Sequence, residues 1–109
     1  MRAEAQALKG HLDTLLLASL EAGPRHGYAV RESLRSASGA QFDLPTGTIY
    51  PALRRLEAAG LVRGTWSDAA GRRRRIYELT PAGRRRLAGD RAAWRDFASA
   101  VTAILEPGT

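Results

Sequence analysis

The sequence predicts a mainly α-helical fold with one small β-hairpin. Three observations carry this. Before Gly60, apolar residues recur at helical spacing in three stretches. From Leu61 to Leu79 the pattern changes to two short runs with β-branched and aromatic residues. At Thr80-Pro81 a helix start appears, and a helical stripe follows it to Leu105.

The first helix is expected from about Glu4 to Ala22. Its stripe is Leu8, Leu12, Leu15, Leu16 and Leu20, and Gly23-Pro24 ends it. A second short helix should run from His26 to about Ala37, with Tyr28, Val30, Leu34 and Ala37 as its apolar members. Residues 38–44 connect, with Phe42 and Leu44 tucked inward. A third helix fills Pro45 to Gly60. Ile49, Ala52, Leu53, Leu56 and Gly60 share one side, and Gly47, Pro51, Arg54 and Ala58 lie opposite. Thr48, Tyr50 and Arg55 sit on the shoulders. Thr46 or Thr48 can cap its start, and Gly60 can supply the left-handed residue that stops it.

The hairpin pairs Leu61–Trp66 with Arg73–Leu79 around turn chemistry at Ser67–Gly71, and its tip is expected to hold Arg72 to Arg75. In the last helix, Leu87, Trp94 and Val101 are spaced by seven, with Phe97/Ala98 and Ile104/Leu105 between them. That is a short coiled-coil-like seam, and it needs a second surface to bury it. The sequence therefore divides into residues 1–80, a winged helix-turn-helix, and residues 81–109, a dimerisation helix and tail.

Composition narrows the function. The chain has 109 residues, a formal net charge of +6 and no cysteine. One domain with a limited core is expected, so a partner subunit would help it. Thiolate chemistry and cysteine metal sites are excluded. No apolar run approaches a membrane span, and no signal-peptide core is evident, so a cytoplasmic location without membrane contact is expected. Between Arg63 and Arg86, eight arginines against Asp68 and Glu78 leave +6, the net charge of the whole chain. Concentrated charge of this kind suits a polyanion.

Helix, helix, basic helix, basic hairpin is the order of a winged helix-turn-helix. The third helix can enter the major groove, where base edges differ. The arginine hairpin can reach phosphates or the minor groove. His11 and His26 share no ligand spacing, and no nucleophile, phosphate-loop or metal motif is present, so neither enzyme, metal nor cofactor is expected.

Three motifs resemble one family. Gly47-Thr48-Ile49-Tyr50-Pro51-Ala52-Leu53-Arg54-Arg55-Leu56-Glu57, followed by Gly60-Leu61-Val62, is similar to the signature of PadR-type transcriptional regulators. His26-Gly27-Tyr28 and Tyr77-Glu78-Leu79-Thr80-Pro81-Ala82-Gly83 resemble its other two hallmarks, in the same order. The single terminal helix resembles the family's short-form branch, whose members are homodimers. The resemblance implies a repressor that binds an inverted-repeat operator in double-stranded DNA and releases it on binding a small molecule. By position, it implies DNA contacts at Thr46, Gly47, Thr48, Tyr50, Pro51 and Arg54, and wing contacts at Arg73, Arg74 and Arg75. Tyr28 and Tyr77 match family tyrosines near the helix–wing junction, where core packing competes with DNA contact as their role.

A multidrug-sensing member of that branch has a tryptophan at a place similar to Trp94. Flat aromatic compounds stack there between two subunits. The resemblance thus implies an aromatic or hydrophobic effector pocket, lined by Leu12, Leu16, Ala93, Trp94 and Phe97. Trp94 as a plain interface anchor is the competing role. Two other functions remain open on the sequence: a non-specific basic nucleic-acid-binding protein using the same arginines, and a protein–protein adaptor that keeps the fold.

Overall fold

The computed structural model describes residue 8 and residues 10–108. The element order is α1 (Leu12–Ser19), β1 (Arg25–His26), α2 (Gly27–Ala37), α3 (Thr46–Ala58), β2 (Val62–Ser67), a 3₁₀ turn (Ala69–Gly71), β3 (Arg74–Leu79) and α4 (Pro81–Leu105). The fold is mainly helical with a small sheet, as the periodicity predicts. The sheet has three antiparallel strands in the order β1-β3-β2. β1 pairs Arg25 with Tyr77 and His26 with Ile76. A two-residue strand has no periodicity, so the sequence reading shows only a hairpin.

The core joins all the helices to the sheet. Leu16, Leu17 and Leu20 from the α1 region meet Val30 and Leu34 of α2 and Ile49, Leu53 and Leu56 of α3. Val62, Tyr77, Leu79 and Leu87 close it from the sheet and α4. The stripe of α1 is buried as predicted at Leu16 and Leu20, but the helix is shorter than predicted. Gly10 takes a left-handed φ of 89° and separates Leu8 from Leu12. The expected start at Glu4 lies outside the described residues.

α3 starts differently from the prediction. Pro45, not a threonine, occupies the N-cap, and no side chain caps the helix. The Pro45 carbonyl instead accepts from Thr48 N at 2.9 Å and Ile49 N at 3.2 Å. The helix ends on Gly60 as predicted. Gly60 N donates to Glu57 O and Leu61 N donates to Leu56 O, both at 3.0 Å, with Gly60 at φ 76°. This paired closure satisfies two carbonyls that a helix end would otherwise leave bare.

The wing tip also differs. The turn consists of Asp68 to Gly71, and Arg74 and Arg75 lie within β3, opposite Ser67 and Trp66. Strand pairing continues further toward the turn than the run of arginines suggests.

α4 begins as predicted. Thr80 caps it, its hydroxyl accepting from Gly83 N at 3.0 Å and donating to Gly60 O at 2.7 Å. Leu87 is buried, Asp90 accepts from Thr14 at 2.7 Å, and Arg91 grips Glu21 through two bonds of 2.9 and 3.1 Å. The second half of α4 leaves the body. The radius of gyration, 15.4 Å, therefore exceeds the about 13 Å of a compact chain this long.

Candidate nucleic-acid interface

The outward face of α3 follows from its phase. Ile49, Ala52, Leu53 and Leu56 are buried, which turns Thr46, Gly47, Tyr50, Pro51 and Arg54 outward, all exposed. Thr48 is half-buried on the shoulder. A Cβ added at Gly47 would meet nothing within 4 Å, so this end of the helix is open to close approach. The uncapped first turn leaves its backbone N–H groups without side-chain partners, a setting that suits phosphate oxygens. Pro51 donates nothing to the Gly47 carbonyl one turn back, and the exposed site leaves that carbonyl to solvent.

Tyr50 is held in place by a glycine. A Cβ on Gly27 would lie 2.1 Å from Tyr50 Cε1. The ring therefore lies against the α2 backbone, and only glycine permits that. The Gly27 of the His26-Gly27-Tyr28 motif and the Tyr50 of the α3 motif thus form one contact.

Between α3 and the wing lies a groove of about 730 Å³. Tyr50, Arg54 and Glu57 line it from α3, and His26, Gly27 and Tyr28 from the start of α2. Trp66, Arg72, Arg73, Arg74, Arg75 and Tyr77 line it from the wing. All three wing arginines predicted as contacts reach this groove, but their surroundings differ. Arg73 lies over the Trp66 ring, its Cζ 4.6 Å from the centroid. Trp66 is 57% exposed, and it is a residue that the sequence reading did not single out. Its position opposite Arg75 in the hairpin register is the signal that would have found it.

Arg74 Nη1 sits 3.0 Å from His26 Nε2. His26 Nδ1 accepts from Ala29 N at 3.2 Å, which makes His26 the cap of α2. A neutral imidazole carries one proton. The other nitrogen accepts, so the Ala29 amide and the Arg74 guanidinium compete for a single acceptor site on the ring. Burial, and then the Arg74 charge, holds the His26 pKa below its ordinary value.

Arg75 is committed elsewhere. Its Nη2 donates to Glu57 Oε2 at 2.5 Å. Glu57 thus reaches from α3 across to the wing. Tyr77, next to this pair, is buried, and burial followed by the Glu57 charge raises its phenol pKa. Of the two junction tyrosines, Tyr77 is thus a core residue, while Tyr28 is 51% exposed at the groove mouth beneath Arg31. Arg55 is bound to Asp13. Arg54, Arg72 and Arg73 make no ion pair among the described residues.

A second unpartnered surface runs along the far half of α4. Trp94, Phe97, Ile104 and Leu105 are all exposed. The ring centroid of Trp94 is 5.4 Å from that of His11 and 5.9 Å from that of Phe97. Of the residues expected around an effector, Ala93, Trp94 and Phe97 face outward, and Leu12 is half-buried at the α1 flank. Leu16 is wholly covered by its own chain's core. Among the described residues, no group of His, Asp or Glu is arranged to hold a metal ion, and no helix is long and apolar enough to cross a membrane.

Comparison with known proteins agrees with this geometry. Residues 16–89 match the model of the transcriptional regulator PadR-like family. A transcriptional regulator of Mycobacterium tuberculosis is 42% identical over 77 residues, which are 71% of this chain and 59% of that protein. The chain thus spans about three-fifths of that relative's length. A PadR family transcriptional regulator from Eggerthella lenta superposes with a TM-score of 0.81 at 31% identity, over 94% of this chain and 88% of that one. Bacillus subtilis PadR, solved with operator DNA, shares the fold, with a TM-score of 0.66 at 22% identity over 72% of this chain and 45% of that one. These proteins are regulators of transcription, not enzymes. From its outward α3 face, its arginine wing and these matches, the chain belongs to the PadR-like family of transcriptional regulators.

Proposed function

We propose that the protein is a homodimeric repressor that binds an inverted-repeat operator and is released by a small aromatic or hydrophobic effector. It would work in the cytoplasm, where its DNA lies. The observation that carries the DNA half is the shared groove. Tyr50 and Arg54 on α3 and Arg72, Arg73 and Arg74 on the wing face one space, with little carboxylate to neutralise them. α3 reads bases in the major groove, and the wing holds phosphate or the minor groove. A relative of the same fold has been solved with operator DNA, which supports this reading.

The dimer half rests on α4. Four large apolar side chains stand exposed on it, and a second copy of the same helix would cover them. Residues 1–80 then act as the DNA-binding unit and residues 81–109 as the dimerisation unit. Pairing sets the two α3 helices about 34–36 Å apart, one turn of DNA. An effector stacked on Trp94, between Leu12, Ala93 and Phe97, changes that spacing if it binds one arrangement better than the other.

The test is an electrophoretic shift on DNA upstream of the protein's own gene, at moderate salt. A preference for one duplex over bulk DNA is expected. Equal binding to both sinks the repressor reading and leaves a non-specific nucleic-acid binder. For the effector, planar dyes should quench Trp94 in a Trp66→Phe background. Quenching that survives Trp94→Ala would remove the pocket.

A further inference from the structure

The three arginines predicted as wing contacts do not face the same partners. Arg75 lies on the side of β3 that carries Tyr77 and Leu79, both buried. Its guanidinium is 5.2 Å from the Trp66 centroid and 2.5 Å from Glu57. Space has been kept for this arrangement. A Cβ on Gly64 would lie 2.8 Å from Arg75 Nε and 2.9 and 3.0 Å from the two carboxylate oxygens of Glu57. Gly64 is in the middle of β2, where a glycine weakens a strand and commonly marks a close approach. Its negative φ calls for no special conformation, so the room it leaves for the ion pair is the reason that remains.

We infer that Glu57 and Arg75 are positioning residues, a brace that fixes the wing against α3 and withholds one wing cation from DNA phosphate. The inference rests on the DNA-binding reading above. Its chemistry is that of counterion release. Affinity for any sequence grows with the number of phosphates neutralised. A guanidinium already bound to a carboxylate adds nothing to that number. Sequence preference is a difference between two affinities, and it rises when the indiscriminate part is held down. The same pair ties the base-reading helix to the wing. One bond spans α3 and β3, and the Arg75 stack on Trp66 carries it across to β2.

The test compares Glu57→Gln, Arg75→Gln and Arg73→Gln in the full chain. Binding is measured against salt on a random-sequence duplex and on the best duplex selected from a random pool. Arg73→Gln should reduce the salt slope on the random duplex by about 0.9, the loss of one phosphate contact. Arg75→Gln should leave that slope unchanged. Glu57→Gln frees Arg75, so it should raise the slope by about 0.9 and lower the ratio of selected to random affinity about tenfold. The double variant Glu57→Gln/Arg75→Gln should lose no more of that ratio than either single variant. A slope that falls equally in Arg75→Gln and Arg73→Gln makes Arg75 a phosphate contact and overturns the brace. Additive losses in the double variant overturn it as well.

One arm needs no DNA. In a Trp94→Phe background, Glu57→Gln should alter Trp66 emission, because Arg75 loses its anchor over the ring. Unchanged emission refutes the brace in the free protein. A wild-type chain that prefers no duplex fails the functional reading instead, and the two failures are told apart by this arm.

Discussion

Replacing Gly27 with alanine tests whether the fold aims Tyr50 at DNA. The added Cβ would be 2.1 Å from Tyr50 Cε1 and 2.7 Å from Cδ1. Carbon atoms rest at about 3.5–4.0 Å, so the ring edge must retreat by about 1.5 Å or more. Tyr50 is 37% exposed, so the ring can swing out about χ1 instead of deforming the core. Gly27 opens α2 without a positive φ, and alanine suits a helix better by up to about 1 kcal/mol. The two effects on stability oppose each other, and the net change should stay within about 1 kcal/mol. DNA affinity has no such offset. Loss of one oriented side chain from a base or sugar contact should cost about 1.4 kcal/mol, a tenfold weakening on the preferred duplex. Binding to random DNA should barely change. Urea unfolding and paired titrations on the two duplexes measure both quantities. Wild-type preference in Gly27→Ala would show that the orientation of Tyr50 is irrelevant. A loss of stability of about 3 kcal/mol would show that the ring does not yield.

Gly83→Ala should behave in the opposite way. Its Cβ would be 2.0 Å from the Leu61 carbonyl oxygen, a backbone atom that cannot swing aside. Unfolding free energy should fall by about 2–3 kcal/mol, and a change under 1 kcal/mol in urea melts would contradict the packing described. His26 makes stability pH-dependent. Its folded pKa is lowered, so its contribution is complete above the unfolded value of about 6.5 and disappears as pH falls through the folded one. The decline in stability from pH 7.5 to 5 should shrink in His26→Asn, which can still cap but does not titrate; an unaltered decline assigns the effect elsewhere. Trp94→Ala/Phe97→Ala should weaken self-association at least about 30-fold in sedimentation runs, the effect of removing about 2 kcal/mol of aromatic anchor. Unchanged dimerisation would place the interface off this stripe.

Residues with a period were legible in the sequence, and residues paired across the chain were not. The buried face of α3 follows from the spacing of Ile49, Leu53 and Leu56, and with it the exposure of Tyr50 and Arg54. Thr80-Pro81 gave the start of α4 because capping is local. Pairing is not local. Glu57 and Arg75 are eighteen positions apart, and nothing in either neighbourhood marks the other. β1 is two residues long, too short for any pattern. The start of α3 is not legible because two threonines stand there as cap candidates, while Pro45, which has no capping side chain, takes the N-cap and leaves the first turn to backbone bonds. Three adjacent arginines look alike in a sequence. Strand alternation, a stack and a carboxylate make them different in the fold.

Thr80 gives the molecule its leverage. Its hydroxyl ties the root of α4 to the last turn of α3 through Gly60. α4 has 25 residues, about 37 Å of rigid rod at 1.5 Å per residue. Trp94 stands thirteen positions beyond Pro81, about 20 Å from that fulcrum. A sideways shift of about 2 Å at Trp94 corresponds to a turn of about 6° about that root, and because Leu87, the Thr14–Asp90 bond and the Arg91–Glu21 pair hold α4 to α1 and the core, such a turn carries α1 with it. Through the Thr80–Gly60 bond the turn reaches the end of α3, the helix proposed above to read bases. Small repacking far out on α4 becomes an angular error at the DNA.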